Sequence, residues 1–377
     1  MNWKAKPLGS CIEVFDSCRR PVTKKDRVLG PYPYYGASGI VDYVDSYIFE
    51  GLHVLVAEDG ENLRSRKLPI AYLADGRFWV NNHAHVLRAN DENDTRFLSY
   101  MIESLDLSGF ITGSTQPKLS QAALLSIPLR LPKLAEQRRI AELLGTLDNK
   151  IESNQNLAEV IPSLIDAKIH HALSDGSGDS IPVSKLAKFV NGGAYTKEAS
   201  GTGRMVIRIA DLNTGPGAST IYNDIDVPGD RLAHFGDLLM SWSGSLGVYV
   251  WVREEAIVNQ HIFKVILTDF PAWLVHNRLN VALHGFRAIA ADKATTMGHI
   301  QRKHLDETFV EVPIAKLEQL NHLCVPLWNR FISAQLESMR LAELRDALLP
   351  ELMSGRMRVD EAGCLVSEAL DEEVADV

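Results

Sequence analysis

The chain has 377 residues, with 39 Lys and Arg against 48 Asp and Glu and a formal net charge of −9; this length allows two ordinary domains. Its 4 cysteines are too few for a disulfide framework and form no metal-ligand spacing, and neither a secretory signal nor an apolar run of membrane-spanning length is found. We therefore expect a soluble, cytoplasmic protein.

Residues 1–131 are expected to form a first mixed α/β domain. Short apolar runs separated by Gly, Asn or Asp indicate strands and turns, and helical periodicity follows at 95–105. The strand-like runs lie at 53–57, 70–73, 78–80 and 84–87.

The stretch 132–174 is expected to be one long helix. Apolar residues recur there at alternating steps of three and four, which predicts a narrow seam that one partner helix would cover. Pro132 suits the first helical turn, and Pro162 predicts a kink because it removes an internal hydrogen bond. Asn154 interrupts the seam and is either a buried amide that fixes the axial register or a solvated position in a loosened coil. The seam consists of Ile140, Leu144, Leu147, Ile151, Asn154 and Ile161.

After a linker at 175–180 the pattern repeats. Residues 181–312 again contain short strand-like runs, and 313–356 carry a second seam of the same spacing, with Pro326 as a second expected kink. The offset of about 180 residues favours a tandem duplication of one globular region and one helix over two unrelated amphipathic helices. The second seam consists of Leu320, Leu327, Phe331, Leu341 and Leu348.

Three matches in the same order support the duplication. Residues 80–83 (VNNH) match 258–261 (VNQH), and 53–60 parallels 237–244 as a strand followed by a polar glycine loop. Ser114-Thr115 precedes the first helix as Thr295-Thr296 precedes the second.

Apolar residues off the two seams cannot all be buried by a two-helix coil, so we expect the outer faces of the helices to need partners. These residues are Leu143, Leu157, Leu164, Val325, Trp328 and Leu349.

The acidic residues are concentrated in the tail, 357–377, which we expect to be solvated and disordered. From Asp360 onward the chain has seven carboxylates and no Lys or Arg, and without them 41 acids face 39 bases. The net charge therefore does not exclude a nucleic-acid partner.

Four segments give the chain a specific resemblance: 33–39 (PYYGASG), 113–119 (GSTQPKL), 132–140 (PKLAEQRRI) and 344–355 (LRDALLPELMSG). Together with two variable domains each followed by a long helix, they closely resemble the specificity subunit of type I restriction-modification systems. The segment 294–300 (ATTMGHI) departs from that family as a loose version of its Gly-Ser-Thr-Gln element.

The resemblance implies an α+β fold with two target-recognition domains, each reading half of a split DNA sequence, and two helices forming an antiparallel coiled coil. It implies docking of two methyltransferase subunits, which methylate adenine, and of two motor-nuclease subunits. S-adenosylmethionine, ATP and Mg²⁺ are then expected on those partners and not on this chain.

The residues themselves give no sign of a catalytic site. The sequence contains no phosphate loop, dinucleotide fingerprint or H-E-x-x-H helix, and no convincing Asn-Pro-Pro-aromatic or Asp-Pro-Pro-aromatic element of an amino-methyltransferase. Glu58 and Asp59 could be an acid–base pair, but a polar loop tip, or a carboxylate accepting from a cytosine amino group, is the favoured interpretation. We expect a non-catalytic protein without a metal site.

Two domains that read different half-sites should share framework residues and differ in readout residues. Asn81 and His83 recur as Asn259 and His261, which favours a scaffold role over adenine readout. Polar loop residues that the two domains do not share are the candidates for base readout. For each of them an ordinary solvated surface residue is an equally good interpretation, and Trp242 is more typical of a core. The candidates are Lys24, Lys25, Tyr32, Tyr34, Asn62, Arg64, Arg66, Lys67, Tyr195, Lys197, Arg204, Arg208, Asn213, Trp242 and Ser243, with Lys118, Arg302 and Lys303 expected on phosphates.

The sequence thus predicts a non-catalytic subunit that binds double-stranded DNA at a bipartite target. The alternative is a coiled-coil scaffold for a protein assembly without DNA specificity, and a third is an enzyme with an unrecognised site.

Overall fold

The structure is a computed structural model that describes residues 3–292 and 299–375. It divides into two compact units, unit 1 with residues 1–150 and 341–377, and unit 2 with residues 151–340. Residues 293–298 lie outside the described residues; they include Thr295 and Thr296 and most of the segment 294–300. In the part of the chain that is described, no helix is both long and apolar enough to cross a membrane.

The globular part of unit 1 is built from short strands, as the sequence predicted. They are β1 (Lys4–Pro7), β2 (Ile12–Val14), β3 (Tyr32–Gly36), β4 (Gly39–Val44), β5 (Phe49–Glu50), β6 (His53–Ala57), β7 (Ala71–Ala74), β8 (Arg77–Val80), β9 (Ala84–Ala89) and β10 (Pro128–Leu131). The helices are α1 (Asn62–Ser65), α2 (Thr95–Ser104), α3 (Gln121–Ser126) and the start of α4 (Leu134–Leu173).

These strands form two four-stranded sheets and one two-stranded sheet. One sheet has the order β2-β9-β6-β7 and is antiparallel; the other has the order β4-β3-β8-β5, in which β3 and β8 are parallel. Strand β6 is buried on both faces because its run of His, Val, Leu, Val and Ala is apolar throughout and α2 packs against it. The strands β1 and β10 pair with each other, so the domain begins and ends at one place.

The strands of unit 2 are β11 (Asp179–Pro182), β12 (Ala187–Asn191), β13 (Arg204–Ile207), β14 (Ile221–Asn223), β15 (Leu232–Ala233), β16 (Leu238–Ser241), β17 (Gly247–Val250), β18 (Ala256–Val258), β19 (Ile262–Leu267) and β20 (Phe309–Val312). The remaining helices of the chain are α5 (Ile209–Thr214), α6 (Ala272–Asp292), α7 (Arg302–Glu307), α8 (Leu317–Ser354) and α9 (Val359–Ala375). Since β11 pairs with β20 from Asp179 onward, the predicted linker at 175–180 is shorter than expected.

The second domain repeats the topology of the first. Its sheets have the orders β12-β19-β16-β17 and β14-β13-β18-β15, with β13 and β18 parallel and β11 paired to β20. Val80 pairs with Tyr35 in the first domain as Val258 pairs with Ile207 in the second. The structure thus confirms the duplication that the match between residues 80–83 and 258–261 predicted.

The two long helices pack as an antiparallel pair, which confirms the predicted fold class. In unit 1 the start of α4 lies with the end of α8, where Ile140, Leu144 and Leu147 are buried and the Arg345 guanidinium bonds Asp148 at 2.9 Å. In unit 2 the end of α4 packs with the start of α8 in one apolar core; its members include Ile161, Leu320, Leu327 and Phe331. Ile151, Leu341 and Leu348 are also buried.

Asn154 is 1% exposed, so the solvated interpretation of this seam position is wrong. Its side-chain oxygen accepts a hydrogen bond from Arg330 at 3.3 Å, and its amide nitrogen has no hydrogen-bond partner among the described residues. Helix α4 continues through Pro162.

Two further expectations are wrong. Trp328 is 6% exposed because α6 packs over it, with the His276 ring 5.1 Å away, so it does not belong to an open outer face. The acidic tail is not disordered: α9 covers Val359–Ala375 and buries Ala362 and Val366, which lie four residues apart on one helix face.

Candidate nucleic-acid interface

Three loops of the first domain converge at one end of its sheets. Residues 58–61 follow β6, 81–83 join β8 to β9, and 112–118 precede α3. Backbone hydrogen bonds hold them together: the Glu58 amide donates to the His83 carbonyl at 2.9 Å and the Leu119 amide to the Glu58 carbonyl at 2.8 Å. We call these three loops loop cluster 1; it contains most of the segment 113–119 that carried the resemblance.

Arg64 holds the longest of these loops. Its guanidinium donates to the carbonyl oxygens of Gly113 and, at 2.9 Å, of Ser114. Gly113 has φ +85° and a Cβ there would come 2.2 Å from the Gln116 carbonyl, so only glycine fits. Arg64 therefore positions the exposed loop tip at Thr115 and Gln116. Neither residue was among the readout candidates, although both belong to the segment 113–119.

Beneath loop cluster 1 lies a group of charged side chains, which we call the ionic cluster. Glu58 pairs with the Arg19 guanidinium at 2.7 Å and with the Lys118 ammonium at 3.2 Å. Asp16 accepts from the ring of His85 at 2.6 Å and lies 3.4 Å from Arg19. The ionic cluster thus comprises Asp16, Arg19, Glu58, His85 and Lys118.

The partners of both carboxylates keep them ionised. Burial alone would raise the pKa of Asp16, but the hydrogen bond and charge of His85, the Val86 amide and Arg19 together hold it below its usual value. Burial likewise acts to raise the pKa of Glu58, and the hydrogen bonds from Arg19 and Lys118 outweigh it, so this pKa is also lowered.

The ionic cluster does not fit a metal site. Asp16, Glu58 and His85 could offer ligand atoms that all lie within 4.8 Å of one another. However, Arg19 and Lys118 already neutralise these carboxylates, and a cation would have to displace them. Asp59 is paired separately with His83 at 2.8 Å, so Glu58 and Asp59 are bound to different partners and do not form an acid–base pair.

Several predicted readout residues of the first domain have structural roles. Tyr34 is 1% exposed, and its hydroxyl accepts from the Val22 amide at 2.9 Å, so it cannot reach a base. Asn62 bonds both the amide and the carbonyl of Leu68 at 2.9 Å. Arg66, in a left-handed conformation at φ 45°, donates to the Glu103 carbonyl at 2.8 Å. Tyr32 is half-buried against Tyr47, whereas Lys24, Lys25 and Lys67 are exposed.

The second domain has an equivalent arrangement of loops. The Trp242 amide donates to the His261 carbonyl at 3.2 Å, and the Ile300 amide donates to the Trp242 carbonyl at 3.0 Å. These bonds repeat those that Glu58 makes with His83 and Leu119, so the backbone of the two sites is the same.

The strand registers show which side chains occupy equivalent places. Val56 pairs with His85 in the first domain, and Met240 pairs with Phe263 in the second. Counting from these pairs gives four equivalences across the site. They are Asp16 with Asn191, Glu58 with Trp242, His85 with Phe263, and Lys118 with His299. The second domain therefore has aromatic rings where the first has the ionic cluster.

The rings of Trp242, His261 and His299 line a pocket of about 680 Å³, which we call the aromatic pocket. The Trp242 ring centroid lies 5.4 Å from that of His261 and 6.4 Å from that of His299. Arg208 and Asn259 also line it. Asp211 holds the Arg208 guanidinium through two bonds of 2.8 and 3.0 Å, and although burial acts to raise the pKa of Asp211, the bonds from Arg208 and Thr220 lower it overall.

Other predicted residues of the second domain are bound within it. Arg204 pairs with Glu255 at 3.0 Å, Asn213 accepts from the Tyr249 hydroxyl at 2.7 Å, and Arg302 donates to the Phe189 carbonyl at 3.0 Å. The Tyr195 hydroxyl accepts from Arg231 at 3.0 Å, and Ser243 is 9% exposed. Lys197 and Lys303 are exposed.

Asn81 and Asn259 are both 8% exposed, and each carbonyl oxygen caps a nearby backbone amide, of His83 at 2.8 Å and of Gln260 at 2.9 Å. Their burial and local bonds agree with the favoured scaffold role.

The structure thus contains two α/β domains of one topology, two long helices that pack together, and loop sites that share a backbone and differ in side chains. Residues 1–163 match the family model described as the type I restriction modification DNA specificity domain. Over its first 163 residues the chain is therefore similar to the specificity subunits of type I restriction-modification systems.

Individual relatives show the same similarity to type I specificity subunits. A Haemophilus influenzae protein, named as a type I restriction enzyme specificity subunit, is 38% identical over 39% of this chain and 37% of its own length. The MjaIX specificity subunit of Methanocaldococcus jannaschii is 21% identical over 96% of this chain and 94% of its own. The crystal structure of the type I S subunit from M. genitalium shares the fold, with a TM-score of 0.63 at 16% identity over 93% of this chain and 96% of that one.

Proposed function

We propose that this chain reads a bipartite target in double-stranded DNA, one half-site per domain, through loop cluster 1 and the equivalent loops of the second domain. One observation carries the proposal: the two sites have the same backbone hydrogen bonds and different side chains. A shared frame with different side chains is what two readers of different sequences require.

Within loop cluster 1 the exposed tip is best suited to read bases. Gln116 can pair with the N6 and N7 edge of adenine, and Thr115 can contact a thymine methyl group. The exposed lysines are suited to phosphates, which position the protein without specifying sequence; these are Lys24, Lys25, Lys67, Lys197 and Lys303. Arg64→Ala should relax the preference of the first domain because it releases the loop tip.

The helix pair is proposed to dock two methyltransferase subunits, with two motor-nuclease subunits joining them. In unit 2, four apolar side chains of α4 and α8 are 39–60% exposed: Val160, Leu164, Leu323 and Val325. Exposed apolar groups of this kind suit a protein contact. Adenine methylation with S-adenosylmethionine, and cleavage with ATP and Mg²⁺, would then belong to the partners.

The proposal is tested by coexpressing this chain with a partner methyltransferase subunit and mapping the methylated adenines in the host genome. A chimera that carries residues 1–131 of a relative should change one half-site and keep the other. A folded chimera that lost both half-sites would contradict independent readout, and the chain expressed alone should give no methylation.

A coiled-coil scaffold without DNA specificity predicts a different result in solution. For the purified complex, the logarithm of the DNA-binding constant should fall linearly with the logarithm of the salt concentration, because phosphate contacts release counterions. Absence of salt-dependent binding to random duplex would favour the scaffold.

A further inference from the structure

The aromatic pocket of the second domain lies among residues whose counterparts in the first domain are charged. At the same strand positions the first domain places the ionic cluster, whose side chains bond one another. Trp242 and His299, which line the pocket, stand in place of Glu58 and Lys118. Phe263, which packs against Trp242, stands in place of His85.

The walls of the aromatic pocket combine flat rings with polar groups. Trp242 is half-buried and rests on Phe263, 6.0 Å between centroids, which fixes the plane of the indole. The indole N–H is buried and has no hydrogen-bond partner in the described part of the chain. The Arg208 guanidinium, oriented by Asp211, adds N–H donors to the wall.

These features match a nucleobase that has left the stack. A paired base shows only its edges in the grooves, so it can neither enter a pocket nor lie on a ring. An unstacked base presents its face to an aromatic side chain and brings a phosphate that a nearby guanidinium can bind. The pocket volume lies within the usual range for a small planar ligand.

We propose that the aromatic pocket binds one unstacked nucleobase of the DNA, with the base lying on Trp242. The inference rests on the proposed DNA-binding function and adds to it an extrahelical base as a ligand of the second domain. Base-modifying partners extrude nucleotides from a duplex, so such bases would be present in a working complex.

The test uses the full chain in its complex and two duplexes of the same random sequence, one fully paired and one with a single unpaired adenine. Competition binding at fixed salt should show a preference for the bulged duplex of roughly five- to 100-fold, the effect of one base–aromatic stack. Trp242→Ala should abolish this preference and Trp242→Phe should retain most of it. Phe235→Ala, which removes a 54% exposed ring of the same domain outside the pocket, is the matched control and should keep it.

A second variant guards against misfolding. Ala210 lies on the exposed side of α5 and lines the pocket, so Ala210→Trp should fill the pocket without disturbing the core and should remove the preference. Equal affinity of the wild-type complex for both duplexes, or a preference that persists in both Trp242→Ala and Ala210→Trp, would overturn the inference while salt-dependent binding to the paired duplex still supported DNA recognition. Loss of salt-dependent binding to both duplexes would overturn both.

Discussion

The two domains solve the same structural problem with opposite chemistry. Below loop cluster 1 the first domain places ion pairs, and below the equivalent loops the second domain places packed aromatic rings beside a pocket. Both domains keep the same loop backbone, since the hydrogen bond from the Glu58 amide to the His83 carbonyl is equivalent to that from the Trp242 amide to the His261 carbonyl. The backbone hydrogen bonds thus hold the loops. The side chains beneath them can differ between the domains, provided that those within each domain pack or bond with one another.

The loss of one member should affect the ionic cluster more than the aromatic side chains at the equivalent positions. A buried ion pair is costly to break because the remaining charge loses its partner, whereas aromatic contacts contribute through area and geometry and can be changed in smaller steps. The comparison can therefore be tested by exchanging single members between the domains.

The largest effect is expected for His85→Phe, which places the residue of the second domain in the first. His85 is 1% exposed and its loss leaves the Asp16 carboxylate with weaker partners, so the free energy of unfolding should fall by about 3 kcal/mol. Urea unfolding measures this. The double change Asp16→Asn with His85→Phe should recover at least half of the loss; a double variant as unstable as the single one would show that the two sets are not exchangeable.

The helix pair offers the next comparison, because the seam is apolar at Leu147 in unit 1 and polar at Asn154 in unit 2. Asn154→Leu should raise the free energy of unfolding by about 1–2 kcal/mol, since the buried amide nitrogen has no partner among the residues described. Leu147→Asn, the reverse exchange at a fully buried position, should lower it. If Asn154→Leu destabilised the protein, the amide would have a stabilising role that its hydrogen bonds do not account for.

Acid should destabilise the ionic cluster through its two carboxylates. Glu58 and Asp16 have pKa values below their ordinary 4.5 and 3.8, so their contribution to stability is complete above these values and is lost as the pH falls through the lower folded pKa values. Glu58→Gln should therefore reduce the free energy of unfolding by about 1 kcal/mol at pH 7, as expected for a charge-assisted bond partly open to water. The difference from wild type should shrink toward pH 3; a constant difference would exclude this role of Glu58.

The smallest effect is expected for Lys118→Ala. Lys118 is exposed at the edge of loop cluster 1, and its loss should weaken binding to all sequences and lower the slope of log affinity against log salt by about one. His299→Ala removes the equivalent side chain of the second domain without removing a permanent charge and should leave the slope unchanged. Equal slopes for Lys118→Ala and wild type would place Lys118 away from phosphate.

The sequence predicted the frame well because periodicity reports burial. The steps of three and four found both long helices, and the match of residues 80–83 with 258–261 found the duplication, since both reflect local constraints on backbone and packing. The contacts of Arg64 with Gly113 and of Arg19 with Glu58 could not be predicted, because they join residues 49 and 39 positions apart whose distance only the sheets determine.

Side-chain polarity was a poorer guide than periodicity. The carboxylates of the tail suggested disorder, yet Ala362 and Val366 already have the spacing of a buried helix face. Tyr34 was counted among the polar loop residues, although its ring is buried in β3 and only its hydroxyl oxygen needs a partner.

Unit 1 is built from two separate stretches of the chain, 1–150 and 341–377, so its completion depends on the order of synthesis. Its helix seam at Ile140, Leu144 and Leu147 is covered by residues from 341 onward, and Trp3 lies against Gly355. On the ribosome the 190 residues of 151–340 must first be made, which takes roughly 10–40 s at about 5–20 residues per second. During that interval the first seam is an uncovered apolar stripe, and the nascent first half is a target for chaperones.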